Sequence, residues 1–253
     1  MDSKLRLALL AFVFMLVAPH CHAQREVQII LSPYPSSGSA GCNGATPTGC
    51  TFRESFEGSA ACWSGSTYTN CDVANQWVNT FSGASTVYNY ATAPAPLQGT
   101  HSLAVTGGGN AQAGFTANST MFMGVIFNFQ TFSDFNNHIQ LTDASFNTLC
   151  AAEIPSGSTV FTLINTGGSS VNSSSGITIG TWYIQLEGIV GTGANATCKL
   201  LYSSTGASGS WTTLSSTNGT WTANPAGVEV VGNNTNTLIF DDFRAYTAQM
   251  NWN

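Results

Sequence analysis

Charge is the scarcest property of this 253-residue chain. Asp, Glu, Lys and Arg make up 7% of the sequence, against about a quarter of a typical soluble domain. With six Lys and Arg residues and a formal net charge of −6, the chain lacks the positive charge needed to neutralise a phosphate backbone, which excludes nucleic-acid binding. Aromatic residues reach 11%, which argues against disorder, because disordered chains lack large apolar side chains.

Long hydrophobic runs are also missing, apart from one at the N-terminus. Residues 7–18 are apolar, follow Lys4 and Arg6, and are followed by Cys21-His22-Ala23. The run is too short to span a bilayer, and its flanks predict a secretory signal peptide over residues 1–23. Its removal leaves four basic and eleven acidic residues and therefore a formal charge of −7. We expect a secreted or cell-surface protein with no membrane span.

Six cysteines follow the signal segment, an even number that indicates disulfides in a secreted chain. Local spacing favours Cys42–Cys50 and Cys62–Cys71, which leaves Cys150–Cys198 to join two predicted strands, although fifteen connectivities are possible. A metal-binding role for these cysteines is disfavoured, since no pair is spaced as CxxC and the remaining histidines are His101 and His138.

The remaining chain divides into an arm and one large domain. Residues 24–50 are rich in Pro, Gly and Ser and predict an arm or linker, so the main domain covers residues 51–249. Short β-type runs with Gly-rich turns fill that domain, and none shows helical periodicity. Gly107-Gly108-Gly109-Asn110 predicts the turn of a hairpin, and residues 121–132 predict a long buried strand. The pattern predicts an all-β fold, an antiparallel sandwich or jelly roll.

The first and last predicted strands place carboxylates among large apolar side chains. Glu54 shares a strand face with Phe52 and Phe56. At the other end, strict alternation puts Asp241 on the face of Phe243 and Asp242 on the face of Phe240. Burying a carboxylate without a partner is costly, so we expect a cation nearby. The alternatives are an ion pair with Arg53 or Arg244, a bound metal ion, or strand ends open to water.

Four segments resemble the concanavalin A-like (LamG-like) jelly rolls of lectin, carbohydrate-binding and glycanase domains. They are Phe56-Glu57-Gly58, Pro96-Leu97-Gln98-Gly99-Thr100-His101-Ser102-Leu103, Gly180-Thr181-Trp182-Tyr183-Ile184-Gln185-Leu186 and Ile239-Phe240-Asp241-Asp242-Phe243. The resemblance covers about residues 51–247 and implies the sandwich architecture. It also implies a structural Ca²⁺ between the first and last strands, held by Glu57 with Asp241 or Asp242.

Candidate catalytic residues are few. The Glu-x-Asp-x-(x)-Glu motif of the superfamily's retaining glucanases is absent, and Glu54 and Glu57 face opposite sides of one strand. The remaining candidate pair is Glu153 with Glu187, for which solvent-exposed or hydrogen-bonded sheet positions are the alternative. His138-Ile139-Gln140 reverses the Gln-x-His order of jelly-roll alginate lyases, and the chain's negative charge disfavours a polyanionic substrate.

Aromatic residues in polar, Gly- and Ser-rich stretches are the better candidates for ligand binding. Flat Trp and Tyr rings can stack on sugar rings while neighbouring amides and hydroxyls form hydrogen bonds. Packing inside the protein is the alternative role of the same rings. The candidates are Trp63, Tyr68, Trp77, Tyr88, Trp211 and Trp221.

Five asparagines begin an Asn-x-Ser/Thr sequence: Asn118, Asn172, Asn195, Asn218 and Asn233. Each is a potential N-glycosylation acceptor if the host modifies its secreted proteins. For the protein as a whole, we expect a non-catalytic carbohydrate-binding β-sandwich that recognises a neutral polysaccharide or glycan. A structural protein that self-assembles into a matrix or filament is the alternative, and a glycan hydrolase or lyase is a further one.

Overall fold

In the residues that the computed structural model describes, every element is a β-strand, which confirms the all-β prediction for the domain. The structure describes residues 50–56, 79–89, 97, 99, 101–129, 139–155, 157–174, 176–232 and 238–250. The predicted signal segment and nearly all of the predicted arm lie outside these residues. The described part contains no helix that is long and apolar enough to cross a membrane. The strands are β1 (Cys50–Glu54), β2 (Asn79–Asn89), β3 (His101–Gly114), β4 (Thr120–Phe129), β5 (Ile139–Thr142), β6 (Thr148–Glu153), β7 (Thr162–Asn165), β8 (Val171–Asn172), β9 (Gly180–Ile189), β10 (Ala196–Ser203), β11 (Thr212–Gly219), β12 (Gly227–Val231) and β13 (Leu238–Tyr246).

The strands form one antiparallel path that folds over into two layers. Its order is β11-β10-β9-β4-β13-β3-β12-β5-β6-β7-β8, while β1 pairs with β13 and β2 pairs with β3. We call β11-β10-β9-β4-β13 with β1 layer one, and β12-β5-β6-β7-β8 layer two. The layers face each other, since β6 contacts β9 and β10, and β7 contacts β10 and β11. The result is a jelly-roll type of β-sandwich.

Strand β3 connects the two layers, and here the hairpin prediction is wrong. Residues 103–105 pair with β13 of layer one, whereas residues 110–114 pair with β12 of layer two. Gly107, Gly108 and Gly109 lie inside this continuous strand between the two paired segments. Glycines in a strand interior permit a sharp bend, so the run that resembles a turn instead lets one strand pass from layer to layer.

The core fills the space between the layers. Met121, Met123, Val125 and Phe127 of β4 point inward, and the other residues of β4 from 122 to 126 are also buried, as predicted for a strand covered on both faces. A disulfide between Cys150 of β6 and Cys198 of β10 joins the two layers through this core. This is the pairing expected from the spacing of the cysteines.

A β-bulge in β13 overturns the strict alternation expected there. Leu238, Phe240, Phe243 and Ala245 all lie in the core cluster, so the interval between Phe240 and Phe243 is three residues. The register with β4 shifts between Asp241 and Arg244, and Asp242 has a φ of 47°. One extra residue in a strand produces this pattern. The bulge lets both phenylalanines reach the core.

Candidate functional site

Three adjacent strands each have a polar residue between two core residues, and these polar side chains lie on the outer side of layer two. In β3, β12 and β5 the polar residues are Gln112, Glu229 and Gln140, and the residues on either side of each are buried in the core. The register pairs Glu229 with Gln112 on one side and with Gln140 on the other. Paired residues in an antiparallel sheet share a face, so the three side chains form a row. With Asn110, which lies two residues from Gln112, they form a surface that we call the amide face.

Glu229 is held by two amide groups at the centre of this row. The amide nitrogens of Asn110 and Gln112 donate to the same oxygen, Glu229 Oε1, at 2.8 and 3.0 Å. Hydrogen bonds to an ionised carboxylate are stronger than those between neutral groups, so this pair fixes the carboxylate in one orientation. On the other side of the row, the hydroxyl of Thr148 donates to Gln140 Oε1.

The second oxygen of Glu229 and the amide nitrogen of Gln140 are left for a ligand. Within the described part of the chain, no hydrogen bond engages Glu229 Oε2 or Gln140 Nε2. Each side chain keeps about 8% of its surface exposed. A hydroxyl group both donates and accepts hydrogen bonds, whereas an ionised carboxylate only accepts and an amide nitrogen only donates. The neighbouring acceptor and donor therefore suit a ligand hydroxyl.

Cations lie on the opposite side of the molecule. Arg53, Lys199 and Arg244 are the only Lys and Arg residues in the described part of the chain, and all three lie on the outer side of layer one. Lys199 Nζ lies 2.7 Å from Glu187 Oε2. Arg53 Nε lies 3.3 Å from Asp242 Oδ1, and Arg244 Nη2 contacts Asp242 Oδ2. We call these five residues the ion-pair face.

The two aspartates of β13, Asp241 and Asp242, have different kinds of partner. Of the alternatives open at the sequence level, Asp242 adopts the ion pair, and it does so with both arginines. Asp241 has no exposed surface. Its carboxylate accepts from the Ser102 hydroxyl and from the backbone N–H of Asp242, each at 2.8 Å.

The described residues do not by themselves offer a calcium site. No group of three His, Cys, Asp or Glu side chains in the described ranges is arranged to hold a metal ion. The two oxygens of Asp242 face guanidinium groups, which would repel a second cation. Glu57, the remaining predicted ligand, lies outside the described residues, so calcium binding there stays a prediction.

The candidate catalytic pair is not brought together. On β9, Ile184 and Leu186 face the core, so Glu187 points outward from layer one. On β6, Cys150 and Ala152 face the core, so Glu153 points outward from layer two. The whole sandwich therefore separates Glu153 from Glu187, and the pairing is wrong. A cross-strand ion pair with Lys199 accounts for Glu187.

Among the predicted ligand-binding aromatics, Trp221 is part of the protein interior. Its side chain is buried against Leu149 and Ala196, and its indole N–H donates to Asn165 Oδ1 at 2.8 Å. This leaves the ring no face for a sugar, so the ligand role of Trp221 is wrong. Trp211 is half-buried just before β11. Tyr88 pairs in register with Ser102.

The other predicted site residues lie outside what the structure describes. They are Trp63, Tyr68, Trp77, Cys62, Cys71 and Cys42, the predicted partner of Cys50 at the start of β1. Their predicted roles stay predictions.

Sequence reasoning missed the amide face, although a signal for it exists. Each contributing strand has one polar residue flanked by core residues, as in Ala111-Gln112-Ala113, Val228-Glu229-Val230 and Ile139-Gln140-Leu141. Three such isolated polar residues in three strands indicate a shared outer row only once the register is known. The row brings together residues that are far apart in the chain. Gln112 and Glu229, for example, are separated by 117 positions.

No known family model and no curated protein matches the sequence. Solved structures similar to this chain include the endo-β-1,4-glucuronan lyase of the fungus Trichoderma reesei, with 10% identity and a TM-score of 0.48 over 78% of this chain and 95% of that one. The catalytic domain of the glycoside hydrolase family 131 protein from Coprinopsis cinerea is 12% identical, with a TM-score of 0.45 over 76% of this chain and 97% of that one. The binding domain of botulinum neurotoxin DC in complex with SialylT is 9% identical, with a TM-score of 0.46, and the match spans 74% of this chain but 46% of that domain.

The chain's own strand order and its two facing layers are those of a jelly-roll type of β-sandwich, while a concanavalin A-like relationship stays an expectation from the sequence motifs. The similar structures include a lyase, a glycoside hydrolase domain and a binding domain, so function has to be argued from the residues of this chain.

Proposed function

We propose that this chain is a secreted carbohydrate-binding β-sandwich protein and that the amide face binds its ligand. The observation that supports the proposal most directly is the cross-strand pair of Glu229 and Gln140, whose Oε2 and Nε2 atoms make no hydrogen bond within the described part of the chain. A sugar hydroxyl can donate to the first and accept from the second. Secretion is supported by the N-terminal sequence pattern and by the disulfide between Cys150 and Cys198.

The distribution of charge favours a neutral glycan. Among the described residues, the strands of layer two present the carboxylates of Glu153 and Glu229 on their outer side, while the cations lie on the ion-pair face, each beside a carboxylate. An anionic sugar would be repelled by the first surface and would compete with existing ion pairs on the second. A neutral polysaccharide or oligosaccharide is neither repelled by the carboxylates nor in competition with the ion pairs.

A binding screen with a matched pair of variants tests the proposal. We expect the secreted protein to bind at least one neutral glycan on an array or in a polysaccharide pull-down. Glu229→Gln should weaken that binding by about 10- to 100-fold, because a hydrogen bond to a charged group contributes about 1.5–3 kcal/mol. Glu187→Gln makes the same chemical change on the ion-pair face and should leave binding unchanged.

Two outcomes would count against the proposal. One is a folded wild-type protein that binds no neutral glycan. The other is equal loss of binding in both variants, which would mean that a general change of charge or stability, and not the amide face, is responsible.

Glycan cleavage is a second candidate function, and the position of Glu153 relative to Glu229 supports it. Glu153 and Glu229 lie on the same outer side of layer two, two strands and two residues apart in register. Strand spacings of about 4.8 Å and a rise of about 3.3 Å per residue place their Cα atoms about 12 Å apart. Two glutamate side chains can cross part of that gap towards the separation of an inverting pair, about 6.5–9.5 Å. Release of reducing ends that is lost in both Glu153→Gln and Glu229→Gln would support cleavage.

Self-assembly through the arm of residues 24–50 is a separate proposal. Its apolar piece, residues 27–31, is long enough to add a strand to the sheet of a neighbour. Light scattering on the mature protein tests it. Oligomers that disappear when residues 24–49 are deleted would support assembly, and a strictly monomeric mature protein would refute it.

A further inference from the structure

Three potential glycosylation sequences meet at one end of the sandwich, although they are far apart in the chain. Asn118 lies in the β3–β4 connection, Asn195 in the β9–β10 connection, and Asn218 near the end of β11. The backbone N–H of Val190 donates to the carbonyl of Ser119 at 2.9 Å, which joins the first two connections. Ala196 pairs with Gly219, so the residues that follow Asn195 and Asn218 are direct cross-strand neighbours.

All three asparagines are exposed, and their hydrogen bonds leave room for a glycan. A glycosylated asparagine keeps its carbonyl oxygen and one N–H, so a single bond from Nδ2 can persist. Asn118 uses only its oxygen, which accepts from the backbone of Thr120. Asn195 Nδ2 donates to the carbonyl of Thr192 at 2.8 Å. Asn218 Nδ2 donates to the Ser169 hydroxyl at 3.3 Å.

We infer that this end of the sandwich is an N-glycosylated cap that bears glycans on Asn118, Asn195 and Asn218. In the reaction, the amide nitrogen of each asparagine forms a bond to the anomeric carbon of a lipid-linked oligosaccharide. The bond from that carbon to the lipid pyrophosphate breaks, and the amide nitrogen loses one proton. Threonine occupies the third position of all three sequences, as Thr120, Thr197 and Thr220.

Glycans on this cap would also increase the solubility of a protein that has few charged residues. With 7% charged residues, the protein has little charge to keep molecules apart in solution. Three bulky, hydrated glycans at one end would supply that separation, because glycosylation makes a surface more soluble. None of the three asparagines belongs to the amide face. The inference is thus independent of the proposed sugar-binding function.

Mass spectrometry of the full chain, produced in a eukaryotic secretory host, tests the inference. The glycans are removed with a peptide N-glycanase in heavy-oxygen water, which converts each occupied asparagine into a labelled aspartate. We expect the label at all three positions. Asn147 is exposed but does not begin an Asn-x-Ser/Thr sequence, so it reports the background of spontaneous deamidation.

Variants at the threonines keep the asparagine contacts intact and serve as the matched controls. Thr120→Ala, Thr197→Ala and Thr220→Ala should each remove one glycan from the intact mass, and the triple variant should lose all three. A secreted protein with its Cys150–Cys198 disulfide formed but with these asparagines unmodified would overturn the inference. Modification restricted to Asn172, which begins a fourth described sequence on β8, would also overturn it.

Discussion

Asn165 offers the sharpest test of how the sandwich is held together. It is 1% exposed and lies at the end of β7. Its amide nitrogen donates to the carbonyls of Ala196 and Ser216, both at 3.0 Å, and its oxygen accepts from the Trp221 indole at 2.8 Å. A Cβ atom on Gly219 would lie 2.0 Å from that oxygen, so the neighbouring strand is fitted closely around the amide.

Replacing Asn165 by alanine should therefore cost much of the protein's stability. The change removes the hydrogen bonds to the two carbonyls, to the Ser216 hydroxyl and to the Trp221 indole, and each buried group left unsatisfied costs about 1–3 kcal/mol. Some partners will find water, so we expect the free energy of unfolding to fall by about 3–5 kcal/mol. That is a large part of the roughly 5–15 kcal/mol that stabilises a typical domain.

Urea unfolding followed by tryptophan fluorescence measures the effect. Trp221→Phe removes the indole N–H and replaces the indole by a smaller ring, and should cost about 2–3 kcal/mol from the lost hydrogen bond and the lost packing. The double variant should then cost less than the sum of the single changes, because both remove the same hydrogen bond. Asn147→Ala, at an exposed position, is the control and should change stability by less than about 1 kcal/mol. A loss below 1 kcal/mol for Asn165→Ala would refute the role assigned to this amide.

Three further predictions concern the two layers and the metal. Asp242→Asn should lower the free energy of unfolding by about 3–5 kcal/mol, because it removes a buried negative charge that pairs with two largely buried arginines; a loss no larger than that of Glu153→Gln would contradict the ion-pair account. The double variant Cys150→Ala/Cys198→Ala should lower it by about 2–4 kcal/mol in urea unfolding, since the bridge spans 48 residues; unchanged unfolding would show that the bridge between layers does not stabilise them. Calcium should raise Tm and EDTA should reverse the rise if Glu57 completes a site with Asp241 or Asp242; a Tm that is independent of calcium, or a rise that survives Glu57→Gln, would refute that site.

The sequence was sufficient for the architecture because strand alternation and turn residues are local signals. The two faces of β9 can be read from the alternation of residues 182–187, and the predicted long buried strand over residues 121–132 corresponds to β4. Strict alternation predicts the wrong faces for the residues of β13 after Phe240, because the sequence of one strand does not show a bulge, which depends on the register with neighbouring strands. The glycines of β3 were misinterpreted for a related reason. A strand that bends between layers and a hairpin turn both require glycine.

The candidate site could be predicted less well, because it depends on which strands are neighbours. Glu229 and Gln140 are each unremarkable in sequence, and only the order β3-β12-β5 sets them side by side. The same limitation produced the pairing of Glu153 with Glu187, whose strands lie in different layers. Trp221 was selected for its polar sequence context, which gave no indication of its hydrogen bond to Asn165, 56 residues away.

The central claim is that the amide face binds a neutral sugar. The most direct measurement is the NMR spectrum of the side-chain amide groups, recorded while a neutral oligosaccharide identified in the binding screen is added. The account predicts that the Gln140 resonances shift most, that those of Gln112 shift less because its amide nitrogen stays bound to Glu229, and that all shifts disappear in Glu229→Gln. Saturable binding that leaves the resonances of Gln140 and Gln112 unchanged would contradict the account, since the ligand would then bind elsewhere on the protein.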